Sequence, residues 1–151
     1  MEGETEERLI GVLTSVRLFL TNYDLFLTNR RIIAAKAGSA VPGVLVFGVA
    51  GLALTPGNPD RRLGRYAGLT LEQILSATRK NFEIPYDRVE RAVLDGGRSN
   101  VTMPTLKLWA LGKKMMFAFT QSMWRLDRAQ MAYAKELLSS VLPGRIEFQR
   151  V

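Results

Sequence analysis

The sequence predicts a mixed β/α domain of the α+β class. Its core is a strongly bent antiparallel sheet or partly open barrel, with a C-terminal helix and a partly helical insertion at 38–80. Three observations predict this. Short runs of β-branched and large apolar residues, separated by turn residues, occupy 9–37 and 81–119. A glycine- and proline-punctuated block without strand character divides the two runs. A stretch with helical periodicity closes the chain.

Leu9, Ile10, Val12, Leu13, Val16, Leu18, Phe19 and Leu20 form the first strand-like run, and Thr21-Asn22 punctuates it. Tyr23 to Leu27 and Arg31 to Ala37 then read as a hairpin across Thr28-Asn29-Arg30. Tyr23, Leu25 and Leu27 alternate with Asp24 and Phe26, the pattern of a half-buried strand.

The block from 38 to 80 contains the small-residue apolar run Pro42 to Leu54 and a turn-rich patch from Thr55 to Asp60. A helix follows over Leu69 to Thr78, where Thr70 and Gln73 have the spacing of a capping box. About forty residues are too few for an independent core, so the block is an insertion within a single domain spanning 1–151.

Strand character resumes at Asn81. Pro85 holds Ile84 extended, Arg88 to Leu94 forms a strand, and Asp95 to Asn100 is a loop. Leu106, Leu108 and Ala110 alternate with Lys107, Trp109 and Leu111. The chain turns at Gly112-Lys113 and returns as Met115 to Phe119. In the final helix, N-capped by Asp127, Ala134, Leu137, Leu138 and Val141 make one apolar stripe, and Pro143-Gly144 stops it. Arg145 to Val151 either adds a short strand or trails.

The segment from Tyr23 to Ile33 resembles the "LYLTNRRLI" hairpin of prokaryotic pleckstrin-homology-like domains, including the GRAM-type relatives. The segment from Asn81 to Val89 is similar to the "I-P-hydrophobic-x-x-I" start of their mid-domain strand, and the Gly-rich insertion resembles one carried by some members. Within these motifs, Thr28 and Asn29 can close the turn by side chain-to-backbone bonds, and asparagine tolerates the left-handed conformation. The resemblance implies a scaffold for lipids, peptides or partner domains. Its lipid-binding members place a basic cluster near the first hairpins, where this chain has Arg17, Arg30, Arg31 and Lys36, without forming a clear headgroup motif.

Composition narrows the chemistry. The chain has no cysteine and no histidine, which removes disulfides, thiolate catalysis, imidazole bases and the commonest zinc ligands. No phosphate-cradling glycine motif occurs. A non-catalytic binding or scaffold module without a cofactor or a metal is therefore expected, and a carboxylate-based enzyme is the remotest reading. The charge of +7 favours anionic partners, either a membrane surface or, as the main alternative, nucleic acid.

Arg61, Arg62, Arg65, Arg79 and Lys80 are the best candidates for an anion site, through guanidinium forks and ammonium groups. No aromatic residue is interleaved with them to stack bases. Glu83, Asp87 and Glu90 are the densest acidic group, and salt bridging to Arg79, Arg88 and Arg91 accounts for them better than a metal site. Pro42–Leu54 serves as core, as a membrane contact, or as a self-association surface whose glycines permit close approach. Trp109 and Trp124 are core or interface anchors. The acidic N-terminal residues and the broken apolar run predict a cytoplasmic protein, peripheral to the membrane at most. A protein partner or self-association is expected, and no small-molecule substrate is indicated.

Overall fold

The computed structural model describes residues 6–36, 68–98, 102–119 and 128–151. Among these, β1 (Leu9–Leu18), β2 (Thr21–Thr28) and β3 (Arg31–Lys36) form a meander. The short helix α1 (Leu71–Ser76) leads into β4 (Phe82–Pro85), and one 3-10 turn at Tyr86–Arg88 leads on to β5 (Val89–Asp95). Then come β6 (Thr105–Ala110), β7 (Lys113–Phe119), α2 (Arg128–Val141) and β8 (Ile146–Gln149). The eight strands make one strongly curled sheet in the order β4-β3-β2-β1-β7-β6-β5-β8, a partly open barrel whose edges are β4 and β8.

The concave face carries the main core. Leu13, Leu25, Leu27, Ile32, Ile84, Leu94, Leu106, Leu108, Phe117 and Phe119 meet Met131, Ala134, Leu137 and Leu138 of α2 there. The helical stripe read from the sequence is thus the face that docks on the sheet, with Val141 packed at its margin. The capping box is also present: Thr70 Oγ1 accepts from the Gln73 N–H at 3.1 Å, and Gln73 Oε1 accepts from the Thr70 N–H at 2.8 Å.

Four expectations change. First, β2 is buried on both faces. Phe26 joins Val12, Ile33 and Ala35 in a second core on the convex side, covered by Leu69 and Ile74 of the α1 region. A period-2 pattern with a phenylalanine on its supposedly wet face was the visible trace of this second layer. Second, the turn after β1 falls at Phe19-Leu20, with Leu18 paired to Thr21, so Thr21-Asn22 opens β2. Third, the β6–β7 turn is Leu111-Gly112, both at positive φ (55° and 77°), the geometry of a two-residue primed turn. Fourth, the sheet is mixed. The return through α2 delivers β8 parallel to β5, which a direct hairpin could not do. Pro42–Leu54, Trp124 and the Asp127 cap lie outside the described residues.

β8 is fastened at its far end. The Gly96 N–H donates to the Gln149 carbonyl at 2.8 Å, and Arg150 pairs with the buried Asp95 carboxylate. A Cβ on Gly96 would sit 2.0 Å from the Arg150 carbonyl oxygen, so only glycine lets the two backbones meet. Gly96→Ala should therefore cost about 1–3 kcal/mol of stability, as forced overpacking does. Urea denaturation followed by tryptophan fluorescence would measure it.

Candidate functional site

The two ends of the β1–β3 meander differ in chemistry, and the strand registers set which residues gather at each. Thr28 at the end of β2 begins the β2–β3 turn, and its hydroxyl accepts from the N–H groups of Arg30 (3.0 Å) and Arg31 (2.9 Å). This is the turn closure expected of it. Asn29 is not left-handed, as its sequence neighbourhood would have allowed. Its side chain instead holds the N-terminal segment, accepting from the Arg8 N–H at 2.8 Å and donating to the Glu6 carbonyl at 3.2 Å.

Glu7, brought in by that segment, meets Arg31. The guanidinium donates to both Glu7 oxygens (2.9 and 3.0 Å), to Glu83 on β4 (3.2 Å) and to Glu72 on α1. With a side chain only 12% exposed, Arg31 is a four-way clasp among the N-terminal segment, β3, β4 and α1. Burial on its own would raise the Glu7 pKa. The hydrogen bonds from Arg31 and Thr28 and the nearby positive charge outweigh it and hold the carboxyl below its ordinary range. Tyr86, half-buried beside this end, donates its hydroxyl to the Thr28 carbonyl at 2.6 Å, and burial pushes its pKa up.

The opposite end is apolar and cationic. The β1–β2 turn presents Phe19 at 87% and Leu20 at 95% exposure. β1 runs antiparallel to β7, so the strand start near Leu111 (47% exposed) and Met116 (45%) lies in the direction in which β1 points. These four are all but one of the large exposed apolar side chains among the described residues. Arg17, Leu18, Phe19, Lys114, Met116 and Ala118 line a groove of about 410 Å³ there. Lys36 sits opposite Tyr23 at the same end, and the Tyr23 hydroxyl donates to the Lys80 carbonyl at 3.2 Å, bringing Lys80 in as well. Among the described residues, none of Arg17, Lys36, Lys80, Lys113 and Lys114 is in an ion pair.

The residues singled out from the sequence are thereby divided. Arg17, Lys36 and Lys80 come together at the apolar end, with exposed Arg79 following α1. Arg30 and Arg31 stand about 20 Å away along β2, at the carboxylate end. Arg61, Arg62 and Arg65 lie outside the described residues. In the acidic group, Glu83 pairs with Arg31 rather than Arg79, and Arg91 pairs with Glu147 of β8 rather than with Glu90. Trp109 belongs to neither core. It lies half-buried on the convex face between Arg91 and Lys114, whose charged groups are 4.9 and 5.2 Å from the ring centroid.

Sequence reading missed Phe19, Leu20, Lys113, Lys114 and Met116. Its trace was an apolar pair abutting Thr21-Asn22, absorbed into the strand because hydropathy alone does not separate a turn from a strand end. No helix among the described residues is long and apolar enough to cross a membrane. No family model and no curated protein matches the chain.

The clasp contributes to the acid sensitivity of the fold. The Glu7 pKa is lower folded than unfolded, so its contribution is full above the unfolded value, about 4.3, and fades as pH falls through the folded one. Glu7→Gln should flatten the stability profile below about pH 4–5. Arg31→Met should lose about 2 kcal/mol at pH 7, chiefly by stranding the largely buried Glu7 carboxylate. Thermal melts across pH would report both.

Proposed function

We propose that this chain is a non-catalytic, pleckstrin-homology-like binding module that docks peripherally on anionic membrane surfaces through its β1–β2 end. The fold side of the reading is supported by the two sequence resemblances, which fall on the β2–β3 hairpin and on β4 with the 3-10 turn after it, and by a curled sheet whose concave face is filled by one helix near the C-terminus. The functional side rests on one observation: two almost fully exposed apolar side chains at a turn tip, ringed by cations without ion pairs among the described residues.

Stable peripheral attachment takes two signals, an apolar one and an electrostatic one. Phe19 and Leu20 supply the first, at about 1.5–3 kcal/mol for each side chain fully removed from water. Arg17, Lys36, Lys80, Lys113 and Lys114 supply the second, at about 1 kcal/mol for each cation near an anionic leaflet. The absence of histidine and cysteine supports the non-catalytic part.

A second reading, nucleic-acid binding, has one specific observation in its favour. Trp109 between Arg91 and Lys114 offers a stacking ring among cations.

Vesicle sedimentation separates the two. Binding to phosphatidylcholine vesicles with about a third phosphatidylserine should exceed binding to pure phosphatidylcholine at least tenfold, since several cations at about 1 kcal/mol each are involved. Phe19→Asp with Leu20→Asp should abolish it. Aspartate tolerates the left-handed φ of Phe19, so the turn is kept. Equal binding to neutral vesicles, or full binding by the variant, would overturn the reading. Tight oligonucleotide binding that falls steeply with salt would favour the second one.

A further inference from the structure

The groove beside the apolar tip has a backbone property that membrane docking does not use. β7 runs from Lys113 to Phe119, but β1 pairs with it only at Val16↔Phe119 and Arg17↔Ala118 before turning away at Phe19. On its other side β7 is paired with β6 along most of its length. The two-residue turn makes Ala110↔Lys113 a hydrogen-bonded pair, and the alternation of an antiparallel ladder continues to Phe119, whose N–H reaches the Pro104 carbonyl at 2.9 Å. The N–H and C=O groups of Lys114 and Met116 therefore point away from β6. Among the described residues they have no ladder partner, because β1 has already left. They face the groove lined by Arg17, Leu18, Phe19, Lys114, Met116 and Ala118.

We propose that this open stretch of β7 takes an extended acidic segment of a partner protein as an added strand, hydrogen-bonded to the backbones of Lys114 and Met116. Charge complementarity selects the occupant. Arg17 and Lys114 border the groove, no acidic residue lines it, and neither cation is in an ion pair among the described residues. An added strand alternates its side chains between faces. Acidic residues on the convex side lie beside Arg17 and Lys114, and apolar residues on the other side lie beside Leu18, which packs on the main core. The groove, at about 410 Å³, is within the range of ligand pockets. Main-chain bonds supply affinity and the alternate side chains supply selectivity, as in strand addition generally.

The probe is an acetylated, amidated heptapeptide of alternating glutamate and valine, with its lysine–valine counterpart as control. Under saturating glutamate–valine peptide, amide hydrogen exchange at Lys114 and Met116 should slow at least tenfold. Met115 and Phe117, already bonded to β6, should change little. Lys114→Glu should weaken binding at least tenfold, and Leu20→Asp should leave it intact because Leu20 does not line the groove. No binding of the peptide, equal binding of the lysine–valine peptide, or unchanged exchange at Lys114 and Met116 would overturn the proposal. Vesicle binding lost by Leu20→Asp with peptide binding retained would keep both readings. Peptide binding by a protein that ignores anionic vesicles would sink the membrane reading and leave this one standing.

Discussion

β1 has to serve two halves of the sheet at once, and the rest of the fold follows from how it does so. It pairs with β2 along its length, but the register shifts between Leu13 and Val16, and directly afterwards the strand acquires β7 as its second neighbour. An irregularity of that kind bends a strand and raises its local twist. The bend swings β5, β6 and β7 round to face β2 and β3 across a common interior, and that interior is deep enough for α2 to fill. Because β1 is shared for only two residue pairs, the curl is tight and the sheet stays split beyond them. Closure and opening are therefore products of the same bend.

Around this bend the molecule separates its charges. At one end Arg31 gathers Glu7, Glu72 and Glu83, tying α1 and β4 to the meander. At the other, cations stand without carboxylate partners among the described residues, beside apolar side chains. Neutralised charge consolidates structure, while uncompensated charge beside exposed apolar surface leaves free energy available for association. Arg31 and Arg17 look alike in sequence, as basic residues near the first hairpins, yet only the second is left with that capacity.

Much of this is legible in the sequence alone. The Thr70–Gln73 box, the inward alternation of Leu106, Leu108 and Ala110, and the helical stripe through Leu137 and Leu138 are local patterns, and local patterns read directly. What the sequence hid depended on distant partners. Phe26 reads as the wet side of a strand until α1 covers it. β8 reads as a tail until α2 carries it alongside β5. The apolar, cationic end is built from β1, β3, β7 and the approach to β4, so no single window of sequence contains it. Arg31 and Arg17 were equally good candidates because ion pairing is settled by tertiary neighbours, and small shifts in the placement of both turns moved Phe19, Leu20 and Leu111 out of view.

The two-pair seam between β1 and β7 also governs how the chain reaches this state. β1–β2–β3 and β5–β6–β7 are meanders of neighbouring segments, and each can pair as it collapses. The seam joins Val16 to Phe119 across about two thirds of the chain, and it holds few ladder bonds to reward the loop entropy lost in closing it. Contacts so distant in sequence slow folding. In the folded state the two meanders therefore depend less on this seam than on the apolar stripe of α2, which packs against both from the shared interior.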